Sequence, residues 1–169
     1  MKRKRAAPGI KKILVATDFS AHSNLAMDYA ATLAKQSGAE IILIHVIESF
    51  PYSVTDTFNI VDHRRALERT AGTLLENLRQ ELARKDLSVE TQLASGAPYD
   101  EILKRARREK ADLIVMGTHG RTGVKHLILG SVAEKVVRLS SCPVLTVPIP
   151  ARGRRTMPAQ AAGKPVTLY

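Results

Sequence analysis

The residues of this chain best suited to chemistry are Met116-Gly117-Thr118-His119-Gly120-Arg121-Thr122-Gly123, followed by Gly130-Ser131. The apolar run Asp112-Leu113-Ile114-Val115 precedes them and reads as a buried strand. Val132-Ala133-Glu134-Lys135-Val136-Val137 follows and reads as a helix. A strand, a glycine-rich loop and a helix start opened by a hydroxyl residue together make an anion site. Glycine lets backbone come close to a ligand, and the unbonded N–H groups of a helix start attract phosphate. The expected chemistry is the holding of a phosphorylated small molecule, a nucleotide before others. Simpler explanations exist for each part: a tight turn for Gly117 and Gly120, a bare helix start for Gly130-Ser131, a helix cap for Asp18. Their joint occurrence favours binding.

Signatures of catalysis are absent from the sequence. It contains no Gly-x-x-x-x-Gly-Lys-Ser/Thr loop, no Gly-x-Gly-x-x-Gly fingerprint and no Gly-x-Ser-x-Gly turn. Five histidines (His22, His45, His63, His119 and His126) lack metal-ligand spacing, so a zinc site is not expected. His119 and Ser131 could converge on phosphates, but no base with an orienting carboxylate is legible. Ser131 suits a phosphate ligand better than a nucleophile. A divalent cation, Mg²⁺ or Mn²⁺, would ride on the phosphates with few protein ligands. Binding with at most slow hydrolysis is the expectation. Two alternatives stand beside it: a nucleotide-independent interaction protein, and a true ATP hydrolase or phosphotransferase.

These residues need elements to position them. Lys12 to Thr17 is a short apolar run that predicts a central strand. Ser20 to Ser37 predicts a helix, with Leu25, Ala26, Tyr29, Ala30, Leu33 and Ala34 at helical spacing and Gly38 as its stop. Glu40 to Val46 predicts a second buried strand. Residues 48–60 lack a period and read as a long loop, and Val61 to Lys85 as a long helix with Leu67, Ala71, Leu74, Leu75, Leu78 and Leu82 on one face. Val89 to Ala94 alternates in polarity, which predicts a strand near a sheet edge. Ala97 to Glu109 predicts a helix with Ile102, Leu103 and Ala106 inward. Asp112 to Met116, Ser131 to Leu139 and Val144 to Val147 complete a strand–helix alternation. Such an alternation implies an α/β fold, a parallel sheet covered on both faces. Ligands of such sheets bind beyond the strand carboxyl ends, where strand order reverses. Thr17-Asp18-Phe19-Ser20 and the glycine loop both follow strands, so they face each other if the first and fourth strands are neighbours.

The chain has 169 residues and a net charge of +10. Residues 1–12 carry six basic groups and no acid, residues 151–169 carry four and none, and the sixteen of each sign between them balance. A folded body without net charge argues against a dedicated DNA reader. The basic ends read as solvated tails, or as weak, salt-sensitive contacts with nucleic acid or an anionic surface. Scarce aromatics exclude a stacking platform for single strands. No apolar run is long enough to cross a bilayer. Met1-Lys2-Arg3-Lys4-Arg5 is followed by Ala6-Ala7-Pro8-Gly9 rather than an apolar segment, so secretion is not expected. One cysteine, Cys142, fits a reducing cytoplasm and reads as a small buried hydrophobe. The expected organisation is a basic tail over 1–9, a folded unit over 10–149 and a second basic tail over 150–169.

Gly117, Gly120, Gly130 and Ser131 also form a longer pattern: Gly, two residues, Gly, nine residues, Gly, then Ser or Thr. With Ala16-Thr17-Asp18-Phe19-Ser20 after the first strand and His45-Val46 at the end of the second, Ile10 to Pro148 resembles the nucleotide-binding branch of the universal stress protein family. The resemblance implies a doubly wound, Rossmann-like sheet of five parallel strands in order 3-2-1-4-5, of the adenine-nucleotide alpha-hydrolase-like type. It implies ATP, ADP or AMP as ligand. Asp18 would accept hydrogen bonds from ribose hydroxyls, Val46 would offer backbone to adenine, and Ala16 and Thr17 would shape that pocket. Met116 would border the ribose, and Gly117, His119 and Gly120 would enclose phosphates. Gly130, Ser131 and Val132 would present N–H groups and a hydroxyl to the terminal phosphates. Members of the family often dimerise through the last strand, here Val144, Leu145, Thr146 and Val147. The open edge of that strand gives a physical motive. A charge at Leu145 or Val147 is expected to weaken such a dimer.

Overall fold

Strands made of unbroken apolar runs are stable only where both faces are covered, and that requirement organises this chain. The computed structural model describes residues 9–48, 57–118 and 129–148. His119, Gly120 and Arg121 to Gly123, and the basic tails apart from Gly9, lie outside the described residues. The strands are β1 (Lys12–Ala16), β2 (Glu40–Glu48), β3 (Val89–Gly96), β4 (Leu113–Gly117) and β5 (Val144–Val147). The helices are α1 (Ala21–Ser37), α2 (Thr57–Ala83), α3 (Pro98–Glu109) and α4 (Ser131–Leu139). All strand pairs are parallel, in the order β3-β2-β1-β4-β5.

Alternate residues of each strand enter opposite layers. Ile13, Val15, Ile41, Leu43 and Val115 pack against Ala26, Met27 and Ala30 of α1 and Leu75 and Leu82 of α2. Leu14, Ile42, Ile44, Ile114 and Met116 pack against Ile102, Leu103 and Ala106 of α3 and Ala133 and Val136 of α4. The expected α/β sheet, doubly wound and in order 3-2-1-4-5, is therefore the observed one. At the amino end, the Asp112 carboxylate accepts the Lys11 and Lys12 backbone N–H groups at 2.8 and 2.9 Å, tying the start of β4 to that of β1.

Four local expectations are corrected. The loop read over 48–60 is shorter, because β2 continues to Glu48 in register with Gly96 and α2 already begins at Thr57. Thr57 to Ile60 contains no breaker, and a helix extends cooperatively through a turn without an apolar period. Tyr29 is 42% exposed while Met27 is buried, which rotates the inner face of α1 away from the one read from spacing. Leu67 and Leu74 of α2 are likewise exposed, and Ala71, Leu75 and Leu82 form its core stripe. Cys142 is only partly buried. The stop at Gly38 is confirmed: its φ is +70°, a left-handed conformation natural to glycine, and its N–H reaches the Ala34 carbonyl.

Candidate functional site

The turn after β1 is built by its own side chains. Thr17 is buried, its N–H donates to the Ile44 carbonyl at 2.9 Å, and its Oγ1 accepts from the Phe19 N–H at 3.0 Å and contacts Ser23 Oγ at 3.2 Å. Asp18 Oδ1 accepts from the Ser20 N–H at 3.1 Å, and Oδ2 is buried. The cap of α1 is Ser20, whose Oγ accepts from the Ser23 N–H at 3.3 Å, so the capping role considered for Asp18 is filled by another residue. Phe19 takes a φ of +63°, unusual for a bulky residue, and its ring rests 4.4 Å from that of His45. The His45 ring Nδ1 bonds the Thr17 carbonyl at 2.8 Å, which joins the end of β2 to this turn.

The end of β4 presses against the same turn. A Cβ built on Gly117 would stand 3.0 Å from His22 Cβ and 3.1 Å from the His22 backbone C and O. Only glycine admits so close a crossing of β4 over the first turn of α1. The two segments flanking the switch between β1 and β4 are thereby brought together. Beyond Gly117, the Thr118 N–H donates to the Val147 carbonyl at 3.1 Å, and the Gly130 N–H donates to the Thr118 carbonyl at 2.7 Å. These bonds tie the two ends of the glycine loop to one root, so α4 starts beside the end of β4.

The three helix starts with described caps differ at this end of the sheet. α1 is capped by the Ser20 side chain, and α3 opens on Pro98 with Asp100 and Glu101 in its first turn. α4 opens on Gly130, like α3 on Ala97 without a side-chain cap, and has Glu134 in its first turn. The first N–H groups of a helix have no partner within it, and Ser131, exposed at the first helical position of α4, adds a hydroxyl. Below, Ala16, Val46, Met116 and Val132 join one apolar cluster on the α3–α4 side.

Of the residues singled out from sequence, Ala16, Thr17, Asp18, Met116, Gly117, Gly130, Ser131 and Val132 therefore gather around the β1–β4 switch, with Val46 one strand away. His119 and Gly120 lie outside the described residues. Ala94, Tyr99 and Leu129 join the same cluster, although their spacing marks them only as strand, helix start and loop. A cavity of ≈ 210 Å³ lies between α2 and the ends of β2 and β3, lined by Ile47, Glu68, Leu93, Ala94 and Ser95. It is smaller than the roughly 300 Å³ at which ordinary ligand sites begin, so it is not a nucleotide pocket by itself. Among the described residues no helix is long and apolar enough to cross a membrane.

Comparison with known proteins bears on this arrangement. Residues 9–148 match the model of the universal stress protein family. The universal stress protein YxiE of Bacillus subtilis is 38% identical over 144 residues, covering 80% of this chain and 97% of that protein. Universal stress protein MJ0577 of Methanocaldococcus jannaschii is 33% identical over 152 residues, covering 81% of this chain and 94% of its own. The solved structure of MJ0577 superimposes with a TM-score of 0.73 over 85% of this chain and 99% of that one. A universal stress protein solved in complex with cAMP superimposes with a TM-score of 0.62 at 28% identity, over 82% and 97% of the two chains. The strand order, the turn after β1 and the reach of these matches lead to one conclusion: this chain belongs to the universal stress protein family.

Proposed function

We propose that the chain binds an adenine nucleotide across the carboxyl ends of β1 and β4 and acts in the stress response through its occupancy. ATP is the ligand proposed first, with ADP and AMP as its smaller relatives. The observation that carries this reading is the α4 start: a glycine-capped helix without a side-chain acceptor, rooted by the Thr118 carbonyl just past Gly117 at the end of β4. A relative solved with cAMP supports the nucleotide class.

Each residue has a chemical task in this reading. Asp18, held by the Ser20 N–H, is a carboxylate acceptor suited to a ribose diol. Val46 offers backbone at the end of β2, and Ala16, Thr17 and Met116 shape the apolar floor. Gly117, with His119 and Gly120, encloses phosphates, and Gly130, Ser131 and Val132 donate to the terminal ones. Mg²⁺ or Mn²⁺ would be carried on the phosphate oxygens. Occupancy stabilises the conformation that binds best and so alters what partners meet. The open edge of β5 pairs with a second copy in this reading, in a reducing cytoplasm, while the basic tails add weak contacts to polyanions.

The test is analysis by mass spectrometry of small molecules released on denaturing the purified protein, with Gly120→Val as control. Adenine nucleotide from the wild type and none from the variant is the expected result. An empty wild type with no thermal shift on added ATP would overturn the reading and favour an interaction protein independent of nucleotide.

A further inference from the structure

Lys135 and Tyr99 form a pair that the nucleotide reading leaves unused. The Lys135 ammonium sits 4.5 Å from the centroid of the Tyr99 ring, a cation–π contact between α4 and α3. Tyr99 belongs to the first turn of α3 and packs against the cluster that holds Val46, Met116 and Val132. Lys135 lies four residues after Ser131, on the same face of α4. Helical side chains lean toward the helix start, and this lean carries the ammonium onto the Tyr99 ring in the first turn of α3.

The neighbouring acids do not claim this cation. Asp100 and Glu101 of α3 bind Lys104 at 2.7 and 3.0 Å, and they raise its pKa above the ordinary lysine value. Among the described residues no carboxylate pairs with Lys135. A cation parked on a ring keeps its three N–H donors largely available. It is also held in place, so less side-chain freedom is lost when an anion arrives.

We propose that Lys135, positioned by Tyr99, supplies the counter-charge for the β- and γ-phosphates and so makes the site prefer ATP over AMP. The inference rests on the nucleotide reading above and adds to it the discrimination between phosphate-chain lengths. Backbone N–H groups and the Ser131 hydroxyl serve a phosphate of any charge. A fixed ammonium rewards the additional charge of a longer chain.

The experiment is titration of the full chain with ATP, ADP and AMP, for the wild type and for Lys135→Met, Lys135→Arg, Tyr99→Phe and Tyr99→Leu. Thermal melts establish that each variant is folded. Lys135→Met is expected to weaken ATP by about tenfold, the scale of one charge-assisted hydrogen bond, and to change AMP by less than about twofold. Lys135→Arg and Tyr99→Phe, which keep the charge and the ring, are expected to retain the preference. Tyr99→Leu is expected to lose part of it. An unchanged ratio of ATP to AMP affinity in Lys135→Met, with the wild type binding both, would overturn this assignment alone. A wild type that binds none of the three would remove the nucleotide reading and this one with it.

Discussion

Replacing Gly117 and Gly72 separately by alanine makes the same covalent change at two sites and tests the close crossing of β4 over α1. At Gly117 the new Cβ meets three atoms at 3.0–3.1 Å, two of them His22 backbone. Neither backbone atom can rotate aside, so β4 or the first turn of α1 must shift. Overpacking of this kind costs about 1–3 kcal/mol. The lower entropy of an unfolded chain with alanine offsets about 0.5–1 kcal/mol of that. A net loss of about 0.5–2 kcal/mol follows. At Gly72, inside α2, the Cβ meets nothing within 4 Å. There the substitution gains helix propensity and is expected to stabilise by about 0.5–1 kcal/mol. The two variants should thus differ by about 1–3 kcal/mol, or roughly 3–9 °C in Tm for a domain of this size. Chemical denaturation with a common m value, backed by thermal melts, is the assay. If Gly117→Ala were as stable as Gly72→Ala, the crossing would not be as tight as described, and the close approach of the end of β4 to the first turn of α1 would lose its support.

Other perturbations have equally defined outcomes. Asp112→Ala leaves the Lys11 and Lys12 N–H groups without their carboxylate and should cost about 2 kcal/mol, whereas Asp112→Asn keeps an acceptor and should cost less; a melt that ranks them otherwise would refute the anchoring role. Glu76 accepts from Arg79 and Gln80, and the Arg79 hydrogen bond first of all lowers its pKa to about 2. A carboxylate depressed on folding contributes stability above its unfolded pKa and loses it as pH falls toward 2, so Glu76→Gln and wild type should converge in stability between pH 4.5 and 2. Thr146→Pro is the sharper probe of the proposed dimer. Leu145 and Val147 pack on the core cluster, so a charge there disturbs folding, and the Pro143 and Val147 carbonyls already bond β4. Alternation then turns the Thr146 N–H to the open edge, where proline removes it at little cost to the fold. A sedimentation coefficient that does not change would exclude β5 as the interface.

Sequence alone determined the strand–helix alternation and the parallel sheet, and it set most element boundaries to within a residue, though not the ends of α2 or the carboxyl ends of β2 and β3. These features are local: unbroken apolar runs, a 3.6-residue period, a glycine stop at Gly38. The resemblance carried by Gly117, Gly120, Gly130 and Ser131 also pointed to the sheet order that is observed. Tertiary structure decided what depends on distant partners. The extension of β2 to Glu48 follows from pairing with β3, which no local pattern in Ile47-Glu48 announces. The choice of Met27 over Tyr29 for the core of α1 depends on how that helix lies on the sheet. Gly117 reads as a turn residue in sequence, yet it is required because His22, 95 positions earlier, crosses it. The pairing of Tyr99 with Lys135 joins two helices whose contact exists only once the strands beneath them have assembled into one sheet. Periodicity reports how a segment meets its surroundings on average, whereas close approaches are fixed by the packing of elements far apart in the chain.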